Sequence, residues 1–197
     1  MYPLLLAPVD EFLVDWHQQR NDPLTATQDE DGVNVHRTSA LPGGSGQYTR
    51  PDLTAIAQMQ YSSLGSWYEV HAIEVKAYWS LSRSSLFEAI AQASLQRCTF
   101  SWLIAWIPSV DQPHLTGFHK SQALQAGDLI GNSTKKGPLA LEAEKFGIGL
   151  AKAADLAPDS RIERIVSPQR RVMDPDAANR MLDAIQRRNA GQSDEQS

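Results

Sequence analysis

The fold of this chain depends on residues 50–76, which read RPDLTAIAQMQYSSLGSWYEVHAIEVK. Two runs rich in β-forming residues, 53–61 and 67–78, are separated by the turn-forming segment SSLGS. Apolar residues alternate with polar ones through much of both runs, as in strands with one buried face. The segment therefore predicts a long antiparallel β-hairpin.

The register of this hairpin decides which polar side chains meet at its open end. A turn centred on Leu64 places Asp52 opposite Lys76 and one diagonal step from Glu74. Because side chains alternate between the two faces of a strand, all three then lie on one face. A turn centred one residue away moves Asp52 by two positions but keeps it on that face. We therefore expect two carboxylates and one ammonium group to converge.

Such a cluster is costly unless a ligand uses its charges. Oxygen donors from one or two carboxylates are what Mg²⁺ binds in phosphate-processing sites, so Asp52 and Glu74 are the predicted metal ligands. Lys76 is then placed to orient an attacking water or to stabilise developing charge. The alternative is an incidental surface ion pair at a strand end. The chemistry that the cluster favours is hydrolysis of a phosphodiester.

Pro51-Asp52 on one strand and Glu74-Val75-Lys76 on the next resemble the PD-(D/E)XK nuclease superfamily, whose fold is restriction-endonuclease-like. The helix after them and the apolar run SWLIAWIP also follow that family's α-β-β-β-α-β core, so the likeness spans about residues 9–108. The resemblance implies that Gln92, in the helix after the hairpin, faces the site and helps to place water or phosphate.

Relatives sometimes supply a further acid from the first helix. Glu11 and Asp15 lie four residues apart on the side of that helix away from Phe12 and Trp16. Glu11 is taken as an additional metal ligand, although a solvated helix face is the more common explanation for two such acids. His71 falls on the opposite face of the hairpin from Glu74 and is interpreted as structural; Glu69 also falls on that opposite face and is left out of the site.

The remaining periodicities predict an α/β sandwich whose central mixed sheet has four to five strands and is flanked by helices. Residues 111–138 have no clear period and are interpreted as a long connection that contains at most one helical turn. The other expected elements are helices at 9–18, from Ser85 (with Phe87 inward), at 138–146 (with Gly147 as its C-cap) and at 176–188, and strands at 33–40, 101–108 and 148–153. Residues 1–188 are expected to form a single nuclease-like domain, and 189–197 a disordered tail.

Composition excludes several classes of protein. The net charge of −5 argues against a protein that coats nucleic acid through bulk electrostatics, though not against a nuclease. No apolar run is long enough for a membrane span, and the N-terminus does not look like a signal peptide. One cysteine, Cys98, allows no internal disulfide, so a reducing cytoplasm is expected.

The leading hypothesis is a Mg²⁺-dependent endonuclease, with Mn²⁺ as a substitute, acting on DNA in restriction or another defence against foreign DNA. RNA is not excluded as a substrate. The resemblance implies a homodimer, because two symmetric sites suit the cutting of two strands, and a partner subunit of a defence system is also considered. The alternative is a catalytically silent module that binds nucleic acid or a partner protein through an arginine-rich stretch, residues 161–188.

Overall fold

The computed structural model describes residues 2–24, 33–37, 51–62, 65–94, 98–154 and 161–172. The predicted helix at 176–188 and the predicted tail at 189–197 lie outside the described residues. The elements are α1 (Tyr2–Gln19), β1 (Val33–Arg37), β2 (Leu53–Tyr61), β3 (Gly65–Ala77), α2 (Ser84–Ser94), β4 (Phe100–Trp106), α3 (Gly117–Ile130), α4 (Pro138–Lys145), β5 (Gly149–Ala153) and β6 (Ile162–Val166).

In the described part of the chain, the sheet is mixed and has six strands in the order β1-β2-β3-β4-β5-β6. The β3–β4 and β4–β5 pairs are parallel, whereas the β1–β2, β2–β3 and β5–β6 pairs are antiparallel. The predicted α/β architecture with a mixed sheet is confirmed. The sequence predicted four to five strands because β6 was missed: it is short, and only Ile165 and Val166 within it are buried.

Helices cover both faces of the sheet. On the face that we call the α1 face, Leu13 and Trp16 of α1 share a buried apolar core with Ile73 of β3 and Trp102 of β4, and the Trp16 and Trp102 rings meet edge to face. On the opposite face, which we call the α2 face, helices α2, α3 and α4 cover a second apolar core. Since Ile73 faces α1 and side chains alternate, the even-numbered residues of β3 at this end project to the α2 face.

The β2–β3 hairpin forms as predicted, but its register differs from the expected one by two positions. Leu53 pairs with Ile73, and Tyr61 pairs with Gly65, which leaves three residues between the strands. Gly65 has a φ of 76°, a left-handed conformation that favours glycine at the end of a three-residue hairpin loop. Continued beyond Leu53, this register sets Asp52 opposite Glu74.

Two predictions about the helices on the α2 face are wrong. Residues 117–130 form α3, although 111–138 was expected to be a connection; its buried stripe consists of Ala123, Ala126 and Ile130, and small residues weaken the apolar periodicity. Phe87 was expected to face inward but is 67% exposed, because Leu86 and Ala89 form the buried side of α2.

Within the described ranges, no helix combines the length and the apolarity that crossing a membrane requires.

Candidate functional site

The structure places the three predicted residues at the open end of the hairpin, two of them as an ion pair and the third hydrogen-bonded to the backbone between those two. Asp52 directly precedes β2, and its Oδ2 accepts a hydrogen bond from the backbone N–H of Val75 at 2.8 Å. Val75 lies between Glu74 and Lys76 in β3, so this bond ties the Asp52 carboxylate to the strand that carries the other two groups. The hydrogen bond extends the pairing of β2 and β3 by one step beyond their last paired residues.

Glu74 and Lys76 form an ion pair, with Lys76 Nζ donating to Glu74 Oε1 at 3.2 Å. The side chain of Glu74 is only 7% exposed, whereas that of Lys76 is 21% exposed. A nearly buried carboxylate needs a compensating charge, and Lys76 supplies it. A ligand would therefore reach the cluster from the side of Asp52, which is half-buried, and Lys76.

Helix α2 packs on the same face of the sheet as Glu74. The hydroxyl of Ser101, in β4, donates to the backbone carbonyl of Ala89, in α2, at 2.9 Å. Gln92 lies three residues after Ala89 in this helix, hence on the same helix face. Its side chain lies outside the described part of the chain, so its role stays a prediction.

Glu11 does not join this cluster. It lines a cleft of about 570 Å³ together with Asp15 and Arg161, between α1 and β6. Helix α1 lies on the other face of the sheet, and β6 is four strand positions from β2, about 19 Å at ordinary strand spacing. The structure therefore does not bring Glu11 to the Asp52–Glu74 pair, and the expectation of a third metal ligand from the first helix is not met.

The donor set that remains fits a hard divalent cation. Asp52 and Glu74 offer carboxylate oxygens, and each carboxylate has about four lone-pair positions. Mg²⁺ is typically held by one or two carboxylates, with water and phosphate oxygens completing its coordination. Two protein ligands are therefore sufficient for Mg²⁺ at this site.

Sequence reasoning missed a buried hydrogen-bonded network on the α1 face. Trp102 Nε1 donates to His71 Nδ1 at 3.0 Å, His71 Nε2 lies 3.0 Å from His17 Nε2, and His17 Nδ1 lies 2.8 Å from Asp22 Oδ2. An indole N–H can only donate, so His71 must carry its proton on Nε2 and His17 must carry its proton on Nδ1. Every bond in the network then points in one direction, from Trp102 to Asp22.

The electrostatics of the network favour neutral histidines. Burial holds the pKa of His71 well below its ordinary value and also lowers the pKa of His17, although Asp22 opposes the second shift. Burial alone would raise the pKa of Asp22, but hydrogen bonds from His17 and Arg20 outweigh it and lower that pKa. A second proton on His17 would set two N–H groups against each other at the contact with His71.

His17, Asp22 and Glu69 could hold a metal ion, because their ligand atoms lie within 4.8 Å of one another. Glu69 Oε2 is buried without a hydrogen-bond partner among the described residues, and one nitrogen with two oxygens suits Zn²⁺. Binding of a metal through His17 Nδ1, however, would move the His17 proton to Nε2. His71 would then have to accept that proton's hydrogen bond and carry its own proton on Nδ1, where it would meet the N–H of Trp102. The cluster therefore fits a support for α1 better than a metal centre.

Comparisons with known proteins assign no function. No model of a protein family matches the chain, and no curated protein matches it. A solved structure, a protein of unknown function from Silicibacter pomeroyi, is 14% identical; the match covers 82% of this chain and 77% of that one, with a TM-score of 0.42.

Proposed function

We propose that this protein is a Mg²⁺-dependent nuclease that hydrolyses phosphodiester bonds of DNA, built on a restriction-endonuclease-like fold. The observation that carries the proposal is the hydrogen bond from Val75 N–H to Asp52, which sets this carboxylate beside the Glu74–Lys76 ion pair. An acid before one strand and an acid-x-lysine set in the next are thereby held at one point of the sheet.

The arrangement of elements supports the same proposal. A helix, an antiparallel three-strand unit, a second helix and a parallel fourth strand follow one another as α1, β1, β2, β3, α2 and β4. This is the α-β-β-β-α-β order that the family resemblance implies. The proposed site lies where β2 begins and β3 ends. β4, which pairs with β3, and helix α2 pack beside it, so these four elements fix its position.

In the proposed reaction, each residue of the cluster has a separate task. Asp52 and Glu74 hold Mg²⁺, which when bound lowers the pKa of water and stabilises negative charge on a phosphate. Hydrogen bonding to Val75 fixes the orientation of Asp52 before substrate arrives. Lys76, at 3.2 Å from Glu74, places a compensating positive charge beside that buried carboxylate and can donate to the attacking water or to a phosphate oxygen.

A cleavage assay tests the proposal. Plasmid, single-stranded DNA and RNA are incubated with the protein in Mg²⁺, in Mn²⁺ and in EDTA. We expect metal-dependent cleavage that falls about 100-fold or more in Lys76→Met and in Asp52→Asn. Asp52→Asn is chosen because an amide oxygen still accepts the hydrogen bond from Val75.

Lys145→Ala is the matched control, since Lys145 is exposed on α4 and its loss removes the same charge elsewhere. The control should cleave like the unaltered protein. Failure of the unaltered protein to cleave any of the three substrates in either metal would contradict the proposal. Equal cleavage by all variants would contradict the residue assignment.

A second candidate is a nuclease-like module that binds nucleic acid without cutting it. The observation that favours it is the burial of Glu74, because a carboxylate 7% exposed and paired with lysine is hard for a metal to reach. Against it, Arg170 pairs with Glu69, and Arg171 donates to the carbonyl of Phe146, so these two arginines of the basic stretch are engaged internally. Retained binding of DNA in EDTA without cleavage in metal would favour this module.

A further inference from the structure

A cluster of aromatic rings lies just beyond the proposed site, formed by the two residues that follow β3 and the last residue of β4. Tyr78, Trp79 and Trp106 make edge-to-face contacts, with ring centroids 4.7 Å apart for Tyr78–Trp79 and 5.4 Å apart for Trp79–Trp106. These contacts fix the orientation of Trp79, yet 54% of this residue is exposed. A large indole held in place but half open to solvent is a surface on which another flat ring can stack.

Two of these aromatic side chains, Tyr78 and Trp79, line a cleft of about 320 Å³. Tyr78, Trp79 and Leu81 form one wall, and helix α3 supplies the other through Gln122 and Gln125. A ligand in this cleft would therefore meet aromatic carbon on one side and side-chain amides on the other.

Two polar atoms around this cleft have unmet hydrogen-bonding capacity. Gln122 Oε1 and Trp106 Nε1 are both buried without a partner among the described residues. Gln122 lines the cleft, and the Trp106 ring contacts Trp79. Buried polar atoms without partners are costly and uncommon, so the open acceptor of Gln122 on the cleft wall points to a ligand that offers a donor.

We infer that this cleft binds one unstacked nucleobase of a single-stranded nucleic acid, an inference that rests on the proposed nuclease function for its position. A nucleobase is flat, stacks on indole, and carries donors and acceptors along its edge for the Gln122 amide. Trp79 is three residues beyond Lys76, which places the two at most about 11 Å apart along the chain. The base would therefore belong to a nucleotide close to the phosphate held at Lys76.

The inferred occupant is single-stranded because a paired base is inaccessible to such a cleft. In a duplex, both faces of a base are stacked on its neighbours and its edge is paired. A base in a single strand, a flap or an end is free to enter. The site would accordingly select strands, junctions or ends over intact duplex.

Binding of labelled oligonucleotides in EDTA tests this inference without cleavage. The probes are an oligothymidine, an abasic oligonucleotide of equal length and charge, and a blunt duplex. Stacking energies per base predict that Trp79→Ala weakens oligothymidine binding by about five- to a hundred-fold, whereas Trp79→Phe, which keeps a ring, weakens it less. The abasic strand and the duplex should bind the unaltered protein as weakly as oligothymidine binds Trp79→Ala.

Trp67→Ala is the matched control, because Trp67 is 52% exposed near the other end of β3. It should bind oligothymidine like the unaltered protein. Equal binding by Trp79→Ala and the unaltered protein, or equal binding of abasic and normal strands, would overturn the inference. Metal-dependent cleavage of the same strands is measured separately: its loss in Lys76→Met together with no effect of Trp79→Ala leaves the nuclease proposal standing and removes only the base site.

Discussion

Asp52 combines a structural contact with a proposed catalytic one, and two substitutions separate them. Its Oδ2 accepts the Val75 N–H at the end of the β2–β3 pairing. Asp52→Ala removes this acceptor and should lower the free energy of unfolding by about 1 kcal/mol relative to Asp52→Asn, which keeps one. Urea unfolding of the two variants measures the difference. Equal stabilities would mean that the hydrogen bond does not hold the carboxylate in place.

The position of a single residue could be predicted from the sequence where the alternation of side chains between the two faces of one strand was sufficient. Glu74 and Lys76 share a face because they are two positions apart, and no knowledge of the rest of the fold was required. The contact between His17 and His71 could not be predicted in this way, since it joins α1 to β3 across the core. His71 was interpreted as structural from its face alone; its partners depend on how the helix lies on the sheet.

At the level of secondary-structure elements, Gly147 ends α4 in a way that only glycine tolerates well. Its φ is 66°, its N–H donates to the carbonyl of Glu144, and the next N–H, of Ile148, donates to Ala143. These two bonds form a Schellman motif. Gly147→Ala should destabilise the protein by about 1–2 kcal/mol, because the left-handed φ is strained and the new Cβ would lie 2.9 Å from Gln169.

Gly127→Ala makes the same chemical change inside α3 and should stabilise the protein, whereas Gly147→Ala should destabilise it. A Cβ at Gly127 meets nothing within 4 Å, and alanine favours the helix by about 0.5–1 kcal/mol. Thermal unfolding of both variants gives the comparison. Destabilisation by Gly127→Ala would argue against the open surroundings of Gly127 in α3. Unchanged stability in Gly147→Ala would argue against the left-handed glycine at the end of α4.

Helices, strands and their ends were predictable where nearby residues gave a strong sequence signal. They were not predictable where several local conformations fit the same residues. Gly147 was expected as the C-cap of α4; the cap residue is Phe146, and Gly147 is the next residue, the left-handed glycine of the Schellman motif. The hairpin register was not predictable, because SSLGS permits more than one turn; the left-handed Gly65 and its pairing with Tyr61 select one of them. Helix α3 was missed because Gly117 and Gly127 fall within it and alanines form most of its buried stripe.

At the scale of the whole molecule, the buried histidines link stability to pH. The folded-state pKa values of His17 and His71 lie below the unfolded value of 6.5. As pH falls below about 6.5, the unfolded chain therefore takes up protons first, and the free energy of unfolding decreases. The stability that the neutral network provides is fully present above pH 6.5 and is lost as pH falls towards the folded-state values.

Two carboxylates near this network also affect how the free energy of unfolding depends on pH. Burial raises the pKa of Glu69, which opposes the histidines, whereas the lowered pKa of Asp22 removes stability only in more acidic solution. His71→Gln replaces one titrating ring with an amide that can still donate and accept, so its loss of stability from pH 7 to pH 5 should be smaller. His114→Gln, at an exposed position, should behave like the unaltered protein. Chemical denaturation across this range measures all three, and rising stability towards pH 5 would contradict the neutral network.

The central claim is that Asp52 and Glu74 bind a divalent cation, and a crystal soaked in Mn²⁺ tests it most directly. Anomalous scattering locates the ion without reference to any assumed site. We expect a peak in contact with carboxylate oxygens of both Asp52 and Glu74, on the α2 face of the sheet. A peak among His17, Asp22 and Glu69 instead, or no peak beside Asp52 at saturating Mn²⁺, would contradict the account.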